Sequence, residues 1–174
     1  MDEGRESDPT SGKSRTTVER SSDRETLVTR IVHAPARLVF EAFTRPELFK
    51  QWWIPKSMGM TLVSCEMDVR TGGGYRLEIK HPAATDPMAF YGKYVEVTPY
   101  SRLVWSNDEN GDAGSVTTVT FDEQNGETRV TVRELYASKE ALDAAGTGAA
   151  DAMTEQFEQL DELLVAPAES VGRS

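Results

Sequence analysis

Residues 148–165 read GAADAMTEQFEQLDELLV. Together with Leu142 just upstream, Ala149, Met153, Gln156, Phe157, Leu160, Leu163 and Leu164 recur at 3.6-residue spacing and form one broad stripe. The spacing predicts a helix from about 148 to 165. Gly146 and Gly148 separate it from a short helical turn, for which Ser138 is a plausible N-cap. A helix that is apolar on one side must bury that side against another layer. The rest of the chain supplies the layer.

Upstream lies a series of alternating, β-branched segments. In TLVSCEMDV (61–69), Val63, Cys65, Met67 and Val69 share one parity, and Ser64, Glu66 and Asp68 the other. After Gly72-Gly73-Gly74, YRLEIK (75–80) turns Tyr75, Leu77 and Ile79 inward against Arg76, Glu78 and Lys80. Two more strands, AFYGKYVEV (89–97) and RLVWS (102–106), flank the turn at Thr98-Pro99. SVTTVTF (115–121) and TRVTVREL (128–135) flank Gln124-Asn125-Gly126-Glu127, where Asn-Gly suits a type I′ hairpin. Strands joined by tight hairpins form an antiparallel sheet.

The first strand of the domain is ETLVTRIVHAP (25–35), ended by Pro35. A helix follows with Leu38, Val39, Ala42 and Phe43 on its apolar side and Arg37 and Glu41 on the wet side. TRPE (44–47) restarts the chain: Thr44 and Glu47 have capping-box spacing, and Pro46 in the first turn loses no needed hydrogen bond. On that second short helix, Leu48, Trp52, Phe49 and Trp53 form one apolar arc opposite Glu47, Lys50 and Gln51. Trp52 lies inside the arc and reads as core; Trp53 lies at its edge, on the last turn. The fold class is therefore α+β: a curved antiparallel sheet wrapped around a long C-terminal helix, with two short helices after the first strand. Residues 1–24 mix both charge signs with Ser, Thr and Gly and read as a disordered tail, 25–166 as the domain, and 167–174 as a loose C-terminal tail.

The net charge of −10 argues against nucleic-acid or anionic-membrane partners, which require clustered Lys and Arg. No apolar run approaches the ~20 residues needed to span a bilayer. The N-terminus lacks the apolar core of a signal peptide, and a single cysteine fits a reducing compartment, so the cytoplasm is the expected location. Glu140, Asp143, Asp151, Glu155, Glu158, Asp161 and Glu162 crowd the last helices against Lys139 alone. They read as a solvated face, or as a docking surface for a basic protein partner.

Few residues qualify for chemistry. His33 and His81 are the only histidines, without a second ligand at metal-binding spacing, so no metal and no cofactor are expected. Cys65 sits among apolar neighbours, where burial makes a thiol inert. The glycine run leads into a strand, not a helix, and is a turn rather than a phosphate cradle. Glu96 depends on register. If Phe90, Gly92, Tyr94 and Glu96 face inward, Glu96 is a buried carboxyl and a possible catalytic acid or base; if Tyr91, Lys93, Val95 and Val97 face inward, it is solvated. Gln156 interrupts the apolar helix stripe, and a buried amide without partners costs ~1–3 kcal/mol. A strand side chain, water or a ligand must satisfy it.

TRIVHAPARLVFEAFTRPELFKQWW, EMDVRTGGGYRLEI, YGKYVEVTPYSRLVW, VTFDEQNGETRVTV and EQFEQLDELL, in that order, resemble the START-like (SRPBCC) helix-grip superfamily. Within it the chain looks closest to the group homologous to the C-terminal domain of the activator of the heat-shock-protein-90 ATPase, over about residues 26–165. The resemblance implies the grip architecture and, commonly, an apolar cavity between sheet and helix. The residues expected to line it are Trp53, Cys65, Met67, Tyr75, Leu77, Tyr94, Trp105, Met153, Gln156 and Phe157. Three functions are then in view. A binding module for a small lipophilic molecule ranks first. A cyclase-, dehydratase- or hydrolase-type enzyme using a cavity carboxylate is second, and a chaperone-ATPase-stimulating domain, suggested by the group's name, is third.

Overall fold

A computed structural model describes residues 16–109, 111 and 114–173, with side chains as far as residue 164. Eight strands form one antiparallel sheet: β1 (Thr16–Arg20), β2 (Glu25–Val32), β3 (Thr61–Met67), β4 (Gly74–Lys80), β5 (Met88–Thr98), β6 (Arg102–Asn107), β7 (Ser115–Gln124) and β8 (Glu127–Tyr136). Their order across the sheet is β1-β2-β8-β7-β6-β5-β4-β3. Helices α1 (Ala36–Thr44) and α2 (Pro46–Trp52) follow β2, and α3 (Lys139–Ala145) precedes the long α4 (Gly148–Arg173). No helix among the described residues is long and apolar enough to cross a membrane.

The element order is the expected one with two differences at the ends. β1 lies inside the segment read as a tail: TTVER is too polar to signal a strand, but it pairs along β2 from Thr16↔Arg30 to Arg20↔Thr26. At the other end α4 continues to Arg173, past the expected boundary at 166. The rest of the expected N-terminal tail, 1–15, lies outside the described residues.

Curvature comes from two local devices in β5. Gly92 leaves no room for a side chain, since a Cβ there would lie 1.8 Å from the Ser106 carbonyl oxygen. Three residues on, the pairing slips between Tyr94↔Trp105 and Glu96↔Val104, so Val95 is the extra residue of a bulge. Each candidate register is thus right on one side of that bulge. Phe90, Gly92 and Tyr94 follow the first. Val97 follows the second and packs on the core, while Glu96 turns outward. A second bulge between Leu62 and Ser64 puts Val63 in solvent at 52% exposure, against the expected inward parity, and leaves Leu62, Cys65 and Met67 facing the core.

A cluster of aromatic contacts sits where α1 and α2 meet α4. Trp52 is fully buried, with Phe43, Phe49, Trp53 and Phe157 around its indole, whose Nε1–H donates to the Ala42 carbonyl at 2.9 Å. The expected capping box does not form. Thr44 ends α1 and donates its hydroxyl to the Phe40 carbonyl, so Arg45 becomes the N-cap and pairs with Glu47. Ser138 caps α3 as expected, accepting the Ala141 N–H at 3.0 Å. Asn125 and Gly126 both have positive φ, as a type I′ turn requires.

Polar side chains of α4 grip its surroundings. Asp161, expected on the solvated face, points in. It accepts the His33 N–H at 3.1 Å, contacts His33 Nδ1 at 2.9 Å and pairs with the buried Arg30 guanidinium at 3.2 Å. Arg30 also donates to the Thr16 hydroxyl, which ties β1 into the assembly.

Candidate functional site

Between the sheet and the first half of α4 lies a cavity of about 330 Å³. Its floor is a cross-strand row on the concave face. Pairing places Tyr94 beside Trp105, Trp105 beside Thr117 and Thr117 beside Glu134, across β5, β6, β7 and β8. Leu77, Ile79 and Phe90 extend the apolar floor, and α4 supplies Ala149, Ala152, Met153 and Gln156 as the roof. Trp53, Ile54, Pro55, Met58 and Met60 form the wall at the exit of α2. Small residues on the roof keep the helix from filling the space that the curved sheet opens.

The α2 exit is fixed by three polar side chains of α4, Glu155, Gln156 and Gln159. Gln159 is buried; its Nε2 donates to the carbonyls of Trp52 and Ile54, both at 3.0 Å, and its Oε1 accepts the Lys56 N–H at 2.8 Å. Gln156 donates to the Trp53 carbonyl, and Glu155 accepts the Ser57 N–H at 2.9 Å. These bonds satisfy a chain segment leaving a helix, where carbonyls otherwise lack partners. Gln156 therefore finds a backbone partner for its amide N–H. No donor among the described residues reaches its Oε1.

A polar corner closes the other end. Asn107 Nδ2 donates to the Ser115 hydroxyl and the Thr117 hydroxyl, both at 2.9 Å, and lies 3.3 Å from the Ser115 carbonyl. The Ser115 hydroxyl donates in turn to Glu134 Oε2 at 2.6 Å. Tyr75 places its hydroxyl 2.8 Å from the Ser106 carbonyl and 3.0 Å from Asn107 Oδ1. Burial raises the Glu134 carboxyl above the ordinary carboxylate range, the Ser115 hydrogen bond opposes the rise, and the charge of Glu109 adds to it. Burial, and then the Glu134 charge, push the Tyr136 phenol up to about 12. Tyr75 and Tyr94 are also shifted upward, chiefly by burial. Tyr94 is 4% exposed, and its hydroxyl has no hydrogen-bond partner among the described residues.

Of the residues expected at a cavity, Trp53, Tyr75, Leu77, Tyr94, Trp105, Met153 and Gln156 come together on its walls. Cys65, Met67 and Phe157 do not. Cys65 and Met67 lie on β3, the edge strand that packs against α2, with their sulfurs 3.5 Å apart; burial raises the Cys65 thiol. Phe157 is fully buried in the core beneath Trp52, one turn beyond the roof. Glu96, the possible catalytic carboxyl, is 42% exposed and paired with Arg102 at 3.1 Å and the Thr98 hydroxyl at 2.8 Å, so it has no place in the site. Glu134, Glu109, Asn107 and Thr117 were not anticipated. Three of them carried a signal: Glu134 continues the parity of Val130 and Val132, Thr117 that of Val119, and Asn107 that of Trp105.

His33 serves the Asp161 cluster, and His81 accepts the Ala83 N–H in a turn. Among the described residues no three His, Cys, Asp or Glu side chains converge as metal ligands would.

Several solved structures share the architecture. A protein of Rhodobacter sphaeroides superposes with a TM-score of 0.77 at 23% identity, covering 87% of this chain and 99% of its own. A Mycobacterium smegmatis protein gives 0.73 at 26% identity, with 88% and 99% covered. An AHSA1-like protein from Aeromonas hydrophila gives 0.59 at 18%, with 79% and 94% covered. No curated protein matches the sequence. The family model described as "Activator of Hsp90 ATPase homolog 1-like protein" matches residues 33–165, from the end of β2 through the described side chains of α4. The chain belongs to the family of activator of Hsp90 ATPase homolog 1-like proteins.

Proposed function

We propose that this chain is a binding module for a small lipophilic molecule held between the sheet and α4. One observation carries the reading: an apolar, aromatic-walled cavity of about 330 Å³ is lined by Tyr94, a buried tyrosine whose hydroxyl has no partner among the described residues. That volume lies within the range of small-molecule sites, which combine apolar walls with a few convergent polar groups. A buried hydroxyl left unpaired costs ~1–3 kcal/mol, and a ligand that bonds it recovers that cost on binding. The test is native mass spectrometry of the protein isolated without detergent. A reproducible adduct of small-molecule mass, lost on denaturation, supports the reading. A consistently bare protein that also shows no thermal shift with any lipophilic compound counts against it.

A catalytic reading is supported only at Glu134, not at Glu96. A carboxyl raised by burial and facing a cavity is suited to general acid or base work. Turnover by the native protein but not by Glu134→Gln would support it. Stimulation of a chaperone ATPase has the least physical support. Of the carboxylates that would form an acidic docking face, Asp143 is held by Lys139 and Arg20, Glu155 by Ser57 and Asp161 by Arg30 and His33.

A further inference from the structure

We propose that the cavity selects a lipophilic amine, an organic cation whose apolar body fills the aromatic chamber and whose ammonium group rests against Glu134 and Glu109. The inference rests on the binding-module reading and adds the chemical class of the ligand.

Charge is the first reason. Glu109 and Glu134 line the cavity, and among the described residues no Lys, Arg or His does. A fatty acid, a phosphate ester or any other anion would meet two carboxylates and no counter-charge. The two carboxylates already act on each other, since the Glu109 charge helps to raise Glu134. A buried or half-buried like-charge pair is relieved by a cation placed between its members.

Hydrogen-bond accounting gives the second reason. At the polar corner most donors are committed: Asn107 to Ser115 and Thr117, Ser115 and Tyr136 to Glu134, and Tyr75 to the Ser106 carbonyl or Asn107, while the Thr117 hydroxyl, which accepts from Asn107, keeps its own proton to give. Acceptors remain. Among the described residues no hydrogen bond reaches Gln156 Oε1, the Glu134 carboxylate has two donors, Ser115 and Tyr136, for about four lone-pair sites, and the Tyr94 hydroxyl can take either role. A ligand that brings donors completes this set, and an ammonium group brings three with no acceptor. A carboxylate ligand would set its charge against those of Glu134 and Glu109.

The walls supply the third. Trp53, Tyr75, Tyr94 and Trp105 present aromatic rings to the chamber. Ring faces attract cations, most of all when the cation is desolvated. The apolar remainder of the chamber requires a hydrocarbon or aromatic body, which excludes small hydrophilic amines.

The experiment uses three compounds that share one skeleton, 4-phenylbutan-1-amine, 4-phenylbutan-1-ol and 4-phenylbutanoate, titrated by calorimetry into the full chain at pH 7. The amine is expected to bind at least ~10-fold tighter than the alcohol, the scale of one charge-assisted hydrogen bond, with the carboxylate weakest. In Glu109→Gln/Glu134→Gln the amine-to-alcohol ratio should collapse to within about threefold, because the cation loses its partners. The readout is a ratio, which a general loosening of the fold does not change. Should the double variant fail to fold, Glu109→Gln alone, at a half-buried position, should lower the ratio to an intermediate value. An alcohol or carboxylate that binds as tightly as the amine overturns the ligand class and leaves the cavity reading standing. So does an amine preference that survives in the variants. If none of the three binds, the cavity reading fails and takes this inference with it.

Discussion

Replacing each of the adjacent tryptophans by alanine separates the packing role of α2 from its role at the cavity. Trp52 is fully buried and makes four aromatic contacts, and its indole N–H bonds the Ala42 carbonyl. A tryptophan side chain buries ~200–250 Å², which at ~25 cal/mol/Å² is ~5–6 kcal/mol as an upper bound. Measured truncations of this size cost ~3–5 kcal/mol, because the site partly collapses. The orphaned Ala42 carbonyl adds to the loss unless water enters, so Trp52→Ala should cost ~4 kcal/mol and lower Tm by ~8–16 °C. Trp53 is only half-buried and stacks on Phe49 at 4.7 Å between centroids while facing the cavity. Trp53→Ala should cost ~1–2 kcal/mol, from partial burial and one lost stack. Its larger effect should be on binding. Urea unfolding followed by circular dichroism measures the first quantity, and calorimetric titration with 4-phenylbutan-1-ol the second. Trp52→Phe, which keeps one ring but loses the N–H bond and part of the buried indole, should fall between native protein and Trp52→Ala. Equal destabilisation by the two alanine variants, with probe affinity untouched in Trp53→Ala, would refute the division and make the pair plain core.

Three further outcomes are expected. A carboxyl raised by burial stabilises the fold fully below the unfolded pKa of about 4.3 and loses that contribution as pH rises through its native value. Glu134→Gln should therefore gain stability relative to native protein across that window, in urea unfolding at a series of pH values; a pH-independent difference would mean the carboxyl is solvated. Glu96→Gln, which removes one exposed pair with Arg102, should change stability by less than ~1 kcal/mol and leave probe affinity alone. Ala152→Leu puts three more carbons into the cavity from its roof, so stability should hold or rise by ~1–2 kcal/mol while probe affinity falls at least ~10-fold, read by the same unfolding and titration assays.

Alternation and helical spacing act over a few residues, and whatever they control was legible. The stripe on 148–165, the inward parity of Tyr75 and Leu77, and the Asn125-Gly126 turn all lie on this level. The misses arose where distant residues decide. TTVER becomes a strand because β2 offers it an edge and Arg30 reaches Thr16, and neither is visible within five polar residues. A single extra residue at Val95 reverses the parity of everything after it, which is why Glu96 could be assigned to either face. Asp161 looks like one more acid on a solvated helix until β2 brings Arg30 and His33 to it. Glu134 is the instructive case. Its parity matched the inward valines, but a carboxylate ending an apolar row reads as the strand leaving the core, and only the cross-strand row Tyr94-Trp105-Thr117-Glu134 turns it into the end of a chamber.

The arrangement also explains how a fold of this size carries an unfilled space. Along α4 the work is divided by position. The first turns present Ala149, Ala152 and Met153 to the cavity; the later ones drive Phe157, Leu160 and Leu164 into the core beside Trp52. Glu155, Gln156 and Gln159 stand at the boundary, and all three hold the segment leaving α2. The helix is therefore anchored by the half that packs, and the half that roofs the cavity need not contribute much to stability. Nor can the wall formed by Trp53 to Met58 relax inward to close the space, because its backbone is bonded to the helix at Trp53, Ile54, Lys56 and Ser57. A cavity propped open in this way is preorganised, and a ligand entering it spends little of its binding energy on ordering the protein.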